Sequence, residues 1–125
     1  MTQWTKDQLE RIGRAEEVRV ESVGEDGTLS KPVTIWAVRH GDGIYVRSVR
    51  GRDGRWYRAV QKTRQGQIRG GGVQVDVTFE EAEAGVEGEL DDAYRTKYRR
   101  YAGAILNSVL TAQARSATVK LVPRS

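Results

Sequence analysis

The chain has 125 residues, 38% of them hydrophobic, and its 21 lysines and arginines against 17 acidic residues give a formal charge of +4. That length is expected to form one domain, residues 1–125, and the mild basicity favours anionic ligands without demanding nucleic acid. The absence of cysteine excludes disulfides, thiolate nucleophiles and cysteine metal sites and suits a cytoplasmic protein, and neither a membrane-length apolar run nor a signal-peptide core is present.

Near the start, Thr5 and Gln8 form a capping-box pattern, with Trp4 and Leu9 at the positions of a hydrophobic staple. This predicts a helix ending near Gly13, with Trp4 as a structural clamp rather than a ligand contact. EVRVESV then alternates Val18 and Val20 as a strand that stops at the turn GEDG. VTIWAVRH reads as a single strand, with Val33, Ile35 and Ala37 on one side and Thr34, Trp36 and Val38 on the other. HGDG supplies a tight turn, and Ile44 to Val49 return as the second arm of a hairpin.

From Arg55 the spacing of Trp56 and Val60 predicts a short helix, with Asp53 as its cap. GQIRGGGVQVDVTF makes two strands around Gly70, Gly71 and Gly72, with Val73, Val75, Val77 and Phe79 on one apolar face. EEAEAGVEGELDD is an acidic linker, from Glu80 to Glu89, leading into a helix whose stripe is Leu90, Tyr94, Tyr98 and Tyr101. The apolar spacing continues through Ile105, Leu106, Val109 and Leu110, and SATVKLVP closes the chain as a strand. The class is α+β: a small antiparallel barrel of about six strands with peripheral helices, which hides the strand edges.

Chemistry is easier to exclude than to assign. His40, the sole histidine, sits in a glycine turn and reads as a solvated residue, not a catalytic base or metal ligand, so no metal site is expected. Neither a GxxxxGK loop nor a GxGxxG fingerprint is present. The pairs Glu80/Glu81 and Asp91/Asp92 are adjacent in sequence and read as solvated. What remains is YVRSVRGRDGRWYR, residues 45–58, with five arginines. Arg47 and Ser48 end a strand, while Arg50, Arg52, Arg55 and Arg58 surround a helix start. Such a corner is a sensible phosphate site, because guanidinium forks and free backbone amides both suit an anion. Trp36, Trp56 and Tyr57 offer flat walls for a ring system. The competing reading makes the tryptophans core residues and the arginines solvated.

The run PVTIWAVRHGDGIYVRSVRGRDGRWYRAVQ, followed by GQIRGGGVQVDVTF, AYRTKY and the closing LVP, resembles a small bacterial family of unknown function. That family is itself similar to split β-barrel flavin-binding proteins, including the pyridoxamine-phosphate-oxidase-like and deazaflavin-dependent nitroreductase-like enzymes. The resemblance implies a split barrel and a homodimer with FMN or a deazaflavin in a groove between subunits. By position, Lys31, Thr34 and Trp36 would lie along one wall, Arg47, Ser48 and Arg50 near the cofactor phosphate, and Trp56, Tyr57 and Arg58 over the groove. The basic-serine phosphate loop of the deazaflavin enzymes is reduced here to TLSKP. Two functions stay open on this reading: a flavin- or deazaflavin-dependent oxidoreductase acting on a small molecule, and a non-catalytic binding or partner protein on the same barrel. Nucleic-acid binding is the weakest alternative, since neither an aromatic platform nor a continuous basic stripe is evident. Arg47, flanked by valines in its strand, is the arginine expected to matter most, and the tyrosine stripe is expected to be partly buried between subunits.

Overall fold

The computed structural model describes residues 3–124. Seven antiparallel strands form one sheet in the order β2-β1-β5-β6-β7-β4-β3, with β1 Val18–Ser22, β2 Val33–Ile35, β3 Ala37–His40, β4 Gly43–Arg47, β5 Gln65–Gly70, β6 Val73–Glu81 and β7 Thr118–Pro123. The two edge strands, β2 and β3, are consecutive in the chain and separated only by Trp36. One bent run therefore pairs with β1 by its first half (Val18↔Ile35) and with β4 by its second (Ala37↔Val46). It closes the sheet into a barrel, so the edges find partners instead of facing solvent. This bend also accounts for seven strands where alternation predicts about six. VTIWAVRH keeps its period of two but changes partner at Trp36, and periodicity carries no information about partners.

The hairpins follow their turn residues. Gly41, with φ +58°, begins the two-residue connection between His40 and Gly43, and Gly71 and Gly72 (φ +58° and +85°) join β5 to β6. The barrel interior is filled by Val18, Val20, Ile44, Val46, Ile68, Val77, Phe79, Val119 and Leu121. Helix α1 (Lys6–Arg14) adds Leu9 and Ile12, and helix α2 (Arg55–Thr63) adds Tyr57 and Val60. The capping box of α1 is present: Gln8 N–H donates to Thr5 Oγ1 at 3.1 Å, and Thr5 N–H to Gln8 Oε1 at 2.9 Å. Trp4 is buried, and its indole N–H donates to the Leu121 carbonyl of β7 at 3.0 Å. The clamp thus ties the start of α1 to a strand distant in sequence.

A second core lies outside the barrel. Helix α3 (Glu87–Lys97) crosses β3 and β4, and Leu90, Tyr94 and Tyr98 pack with Val38, Tyr45, Leu106 and Val109. Strand β4 is accordingly buried on both faces, Ile44 and Val46 toward the barrel and Tyr45 toward α3. Tyr94 and Tyr98 are fully enclosed by their own chain and Tyr101 is half-buried. The tyrosine stripe is therefore spent on this intrachain core, which removes it as the reason for a dimer. The segment after α3 is not one continuous helix. It runs as a 3-10 turn, α4 (Ala104–Asn107) and α5 (Ala112–Ser116), because Gly103 takes φ +103° and Thr111 caps a fresh start by accepting from Ala114 N–H at 3.0 Å. The acidic linker is shorter than its composition predicts: Glu80 and Glu81 end β6. Glu83 accepts from the Tyr45 hydroxyl and from Lys120 Nζ, each at 2.6 Å.

Candidate functional site

A cavity of about 510 Å³ opens where four pieces of chain meet: Val33 to Trp36, Arg47 to Arg50, Gly54 to Trp56, and the stretch holding Ile105, Ser108 and Val109. Its volume falls within the range of small-molecule sites, roughly 300–1,000 Å³. Of the residues singled out from the sequence, Thr34, Trp36, Arg47, Ser48, Arg50 and Trp56 line it. Lys31, Tyr57 and Arg58 do not. Lys31 is exposed in the loop before β2, Arg58 is exposed on α2, and Tyr57 is buried in the barrel core with its ring 6.3 Å from that of Trp56. Sequence reasoning missed Glu17, Val49, Ile105, Ser108 and Val109 in the lining. The exposure of Val49 (49%) and Ile105 (59%) sets two apolar side chains at its rim. The apolar spacing through Ile105 and Val109 marks those two as buried candidates but not as lining a cavity.

The start of α2 is built for a close approach. Its N-cap is Gly54, and no side chain caps it; Asp53, expected to do so, lies instead in a 3-10 turn, Gly51–Asp53. A Cβ on Gly54 would stand 2.4 Å from Ser48 Oγ, so any larger residue here would have to turn the Ser48 hydroxyl away from the point where the strand end meets the helix start. The first turn of an uncapped helix leaves backbone N–H groups without intrahelical partners, and the helix dipole adds partial positive charge. Gly54, Arg55 and Trp56 bring that turn to the cavity wall beside Ser48 and Arg50. The turn itself is fixed from behind: Gln113 Nε2 donates to the Arg50 carbonyl at 2.7 Å, and Arg52 Nε, on an exposed side chain, to the Ser116 carbonyl at 3.2 Å.

Arg47 is in a different situation. Tyr45 and Arg47 share the outward face of β4, beneath α3, so the guanidinium is enclosed with its side chain 0% exposed. Nη1 donates to Asp91 Oδ1 at 2.5 Å and to the Val109 carbonyl at 2.9 Å, Nη2 to the Glu87 carbonyl at 3.2 Å, and Nε to Thr118 Oγ1 at 3.1 Å. Four bonds inside the protein leave at most one of its five N–H groups for a ligand. Asp91, read from sequence as solvated, is buried and also pairs with Arg115. Burial pushes the Asp91 carboxyl up, but the hydrogen bonds and charges of Arg115 and Arg47 outweigh it and hold the group below its ordinary value. The network binds β4 to α3, to α5 and to Val109 of the cavity wall.

His40 is paired rather than merely solvated, its Nε2 standing 2.8 Å from Glu89 Oε2 on α3. Among the described residues no cluster of three or more His, Asp or Glu side chains could hold a metal ion, and no helix is long and apolar enough to cross a membrane.

This architecture is the split β-barrel seen in pyridoxamine-phosphate-oxidase-like proteins. A putative pyridoxamine 5′-phosphate oxidase from Listeria innocua superposes with a TM-score of 0.64 at 12% identity, over 94% of this chain and 90% of that one. An F420-H2 dependent reductase gives 0.62 at 18% identity (86% and 93%). A FAD-binding protein from Mesorhizobium loti gives 0.55 at 15% identity (96% and 88%). At such identities the likeness is one of fold. The chain belongs to the bacterial family DUF2255, described as "Uncharacterized protein conserved in bacteria", whose model matches residues 8–121. No curated protein matches the sequence.

Proposed function

We propose that this chain binds a flavin-type cofactor, FMN or a deazaflavin, in the cavity beside α2 and serves as an oxidoreductase for a small molecule. The observation that carries the reading is the pairing of two ring-sized apolar surfaces, Trp36 and Trp56, with an uncapped helix start flanked by Arg50 and Arg55. A flavin needs that combination, a flat apolar berth for the ring and a cationic corner for the phosphate. Trp36, Thr34 and Trp56 would hold the ring end. Ser48, Arg50, Arg55 and the α2 amides would hold the anionic end. Arg47 would act from beneath by fixing Val109 and α3, not as a direct ligand, and Lys31, Tyr57 and Arg58 would lie outside direct contact. When bound, the cofactor would supply the hydride chemistry. Fold relatives that bind F420 or FAD support this class of ligand.

The test is a titration with FMN, riboflavin and a deazaflavin, followed by tryptophan fluorescence. Arg55→Ala is expected to weaken FMN by about 1.5–3 kcal/mol, the range for a hydrogen bond to a charged group. Riboflavin, without the phosphate, should bind the variant as it binds the parent. Equal losses for both ligands would point to a diffuse basic surface. No binding of any flavin would discard the cofactor and leave the non-catalytic partner reading.

The assembly in this proposal is a two-fold homodimer, with Val49 and Ile105 at the rim covered by the partner. Two exposed apolar side chains beside an open cavity are what a second subunit would bury. A monomer in light scattering at micromolar concentration would remove it.

A further inference from the structure

Trp36 stands where the bent run passes from one sheet edge to the other, and it also begins an aromatic series. Its ring stacks on Tyr98 with centroids 3.9 Å apart and planes 6° from parallel, and lies 5.3 Å from the ring of Tyr101. The two phenols differ in what accepts their protons. Tyr98 donates to the backbone carbonyls of Glu16 at 2.9 Å and Ala37 at 3.2 Å, neither of which is a base, and burial pushes its phenol up. Tyr101 is half-buried and donates to the Glu16 carboxylate at 2.5 Å, which can take a proton; Arg100 pairs with the same carboxylate.

We propose that Trp36 and Tyr101, with Glu16 as proton acceptor, conduct one-electron oxidising equivalents from the cavity to the protein surface. The inference rests on the proposed function only for its oxidant, a flavin-type ring in the cavity able to accept one electron when photoexcited. Trp36 gives that electron and becomes a cation radical. Tyr101 then passes one electron to Trp36, restoring the neutral indole, while the phenolic proton moves to the Glu16 carboxylate. The neutral tyrosyl radical at the surface is quenched by a small-molecule thiol from solution, which returns a hydrogen atom to the phenol oxygen and leaves as a thiyl radical. The electron given by Trp36 stays on its acceptor, and Glu16 releases its proton to water. Tyr98 stays protonated throughout and acts as the stacking partner of Trp36. The route would spare the cavity from one-electron damage.

The full chain can be tested without any cofactor by pulse radiolysis with azide radical, which oxidises tryptophan preferentially. A Trp4→Phe/Trp56→Phe background leaves Trp36 as the one tryptophan of the sequence and removes the competing Trp56–Tyr57 neighbours. Tryptophanyl-radical absorbance should give way to tyrosyl-radical absorbance. That conversion should be lost in Tyr101→Phe and in Trp36→Phe, slowed in Glu16→Gln, and kept in Tyr98→Phe. Conversion at the parent's rate in Tyr101→Phe, or a tyrosyl signal that survives Trp36→Phe, overturns the route. Loss in Tyr98→Phe alone does the same, and an unchanged Glu16→Gln removes the proton acceptor. A chain that binds no flavin yet converts the signal loses the proposed function and with it the oxidant in the cavity, and keeps only the transfer from Tyr101 to Trp36.

Discussion

Asp91→Ala is expected to cost about 3–5 kcal/mol of folding stability, because it strands a fully enclosed guanidinium without its counter-charge. The figure follows from burial, not from counting ion pairs. Arg47 has a 0% exposed side chain and Asp91 a 4% exposed one, so water cannot take the place of the lost partner. Denaturant unfolding of the two single variants and of Arg47→Met/Asp91→Leu separates the contributions. The double variant should recover much of the loss, since removing both charges leaves neither one buried and unpaired. Additive losses would mean that the pair is solvated in solution. Arg47→Ala should likewise act first on stability, whereas the sequence alone marks it as the arginine most sensitive to a ligand phosphate.

The same pair fixes the direction of the acid response. A carboxyl held below its ordinary value in the folded chain contributes stability at pH values above the unfolded value, near 3.9 for Asp. That contribution is lost as pH falls through the depressed folded value. The parent should therefore lose stability in acid below about pH 4, and Asp91→Asn should flatten that part of the profile. A profile unchanged by the substitution would place the acid sensitivity in other carboxylates, of which Glu83, also held low by Lys120 and Tyr45, is the first to examine.

The residues that local rules govern were legible in the sequence. The Thr5–Gln8 box, the Gly71–Gly72 hairpin and the alternation from Val73 to Phe79 each depend on neighbours a few positions away, and each is present in the fold. The corner at Ser48 to Trp56 was legible for the same reason, since a strand end, glycines and a helix start are adjacent there. What the sequence could not show was which face of β4 would be covered. Arg47 and Arg50 look alike along the chain, yet α3 lies over one and leaves the other exposed. Asp91 and Asp92 differ in the same way, one turned to the barrel and the other to solvent. These distinctions arise from contacts such as Arg47 to Asp91, 44 positions apart, where spacing arguments are silent.

Gly66→Ala should disrupt the barrel, with an expected loss of more than about 4 kcal/mol, at the extreme end for a single substitution. Gly66 pairs with Ser22 of β1 and with Val77 of β6, and the ring of Phe79 covers it. A Cβ there would lie 2.0 Å from the Glu21 carbonyl oxygen and 2.6 Å from Phe79 Cε2. A backbone oxygen held in a ladder cannot swing aside as a side-chain end can, so β1 and β5 must separate. The damage would then reach the cavity, because β1 carries β2, and β2 with Trp36 forms one cavity wall. Gly88→Ala is the control: it lies in α3, nothing stands within 4 Å of its added Cβ, and it should gain up to about 1 kcal/mol from helix propensity. Thermal unfolding of both variants reads the contrast. A Gly66→Ala chain that melts with the parent's cooperativity and midpoint would mean that β1 and β5 do not approach this closely. The alanine would then be tolerated because the wall beside Trp36 is looser than the sheet register requires.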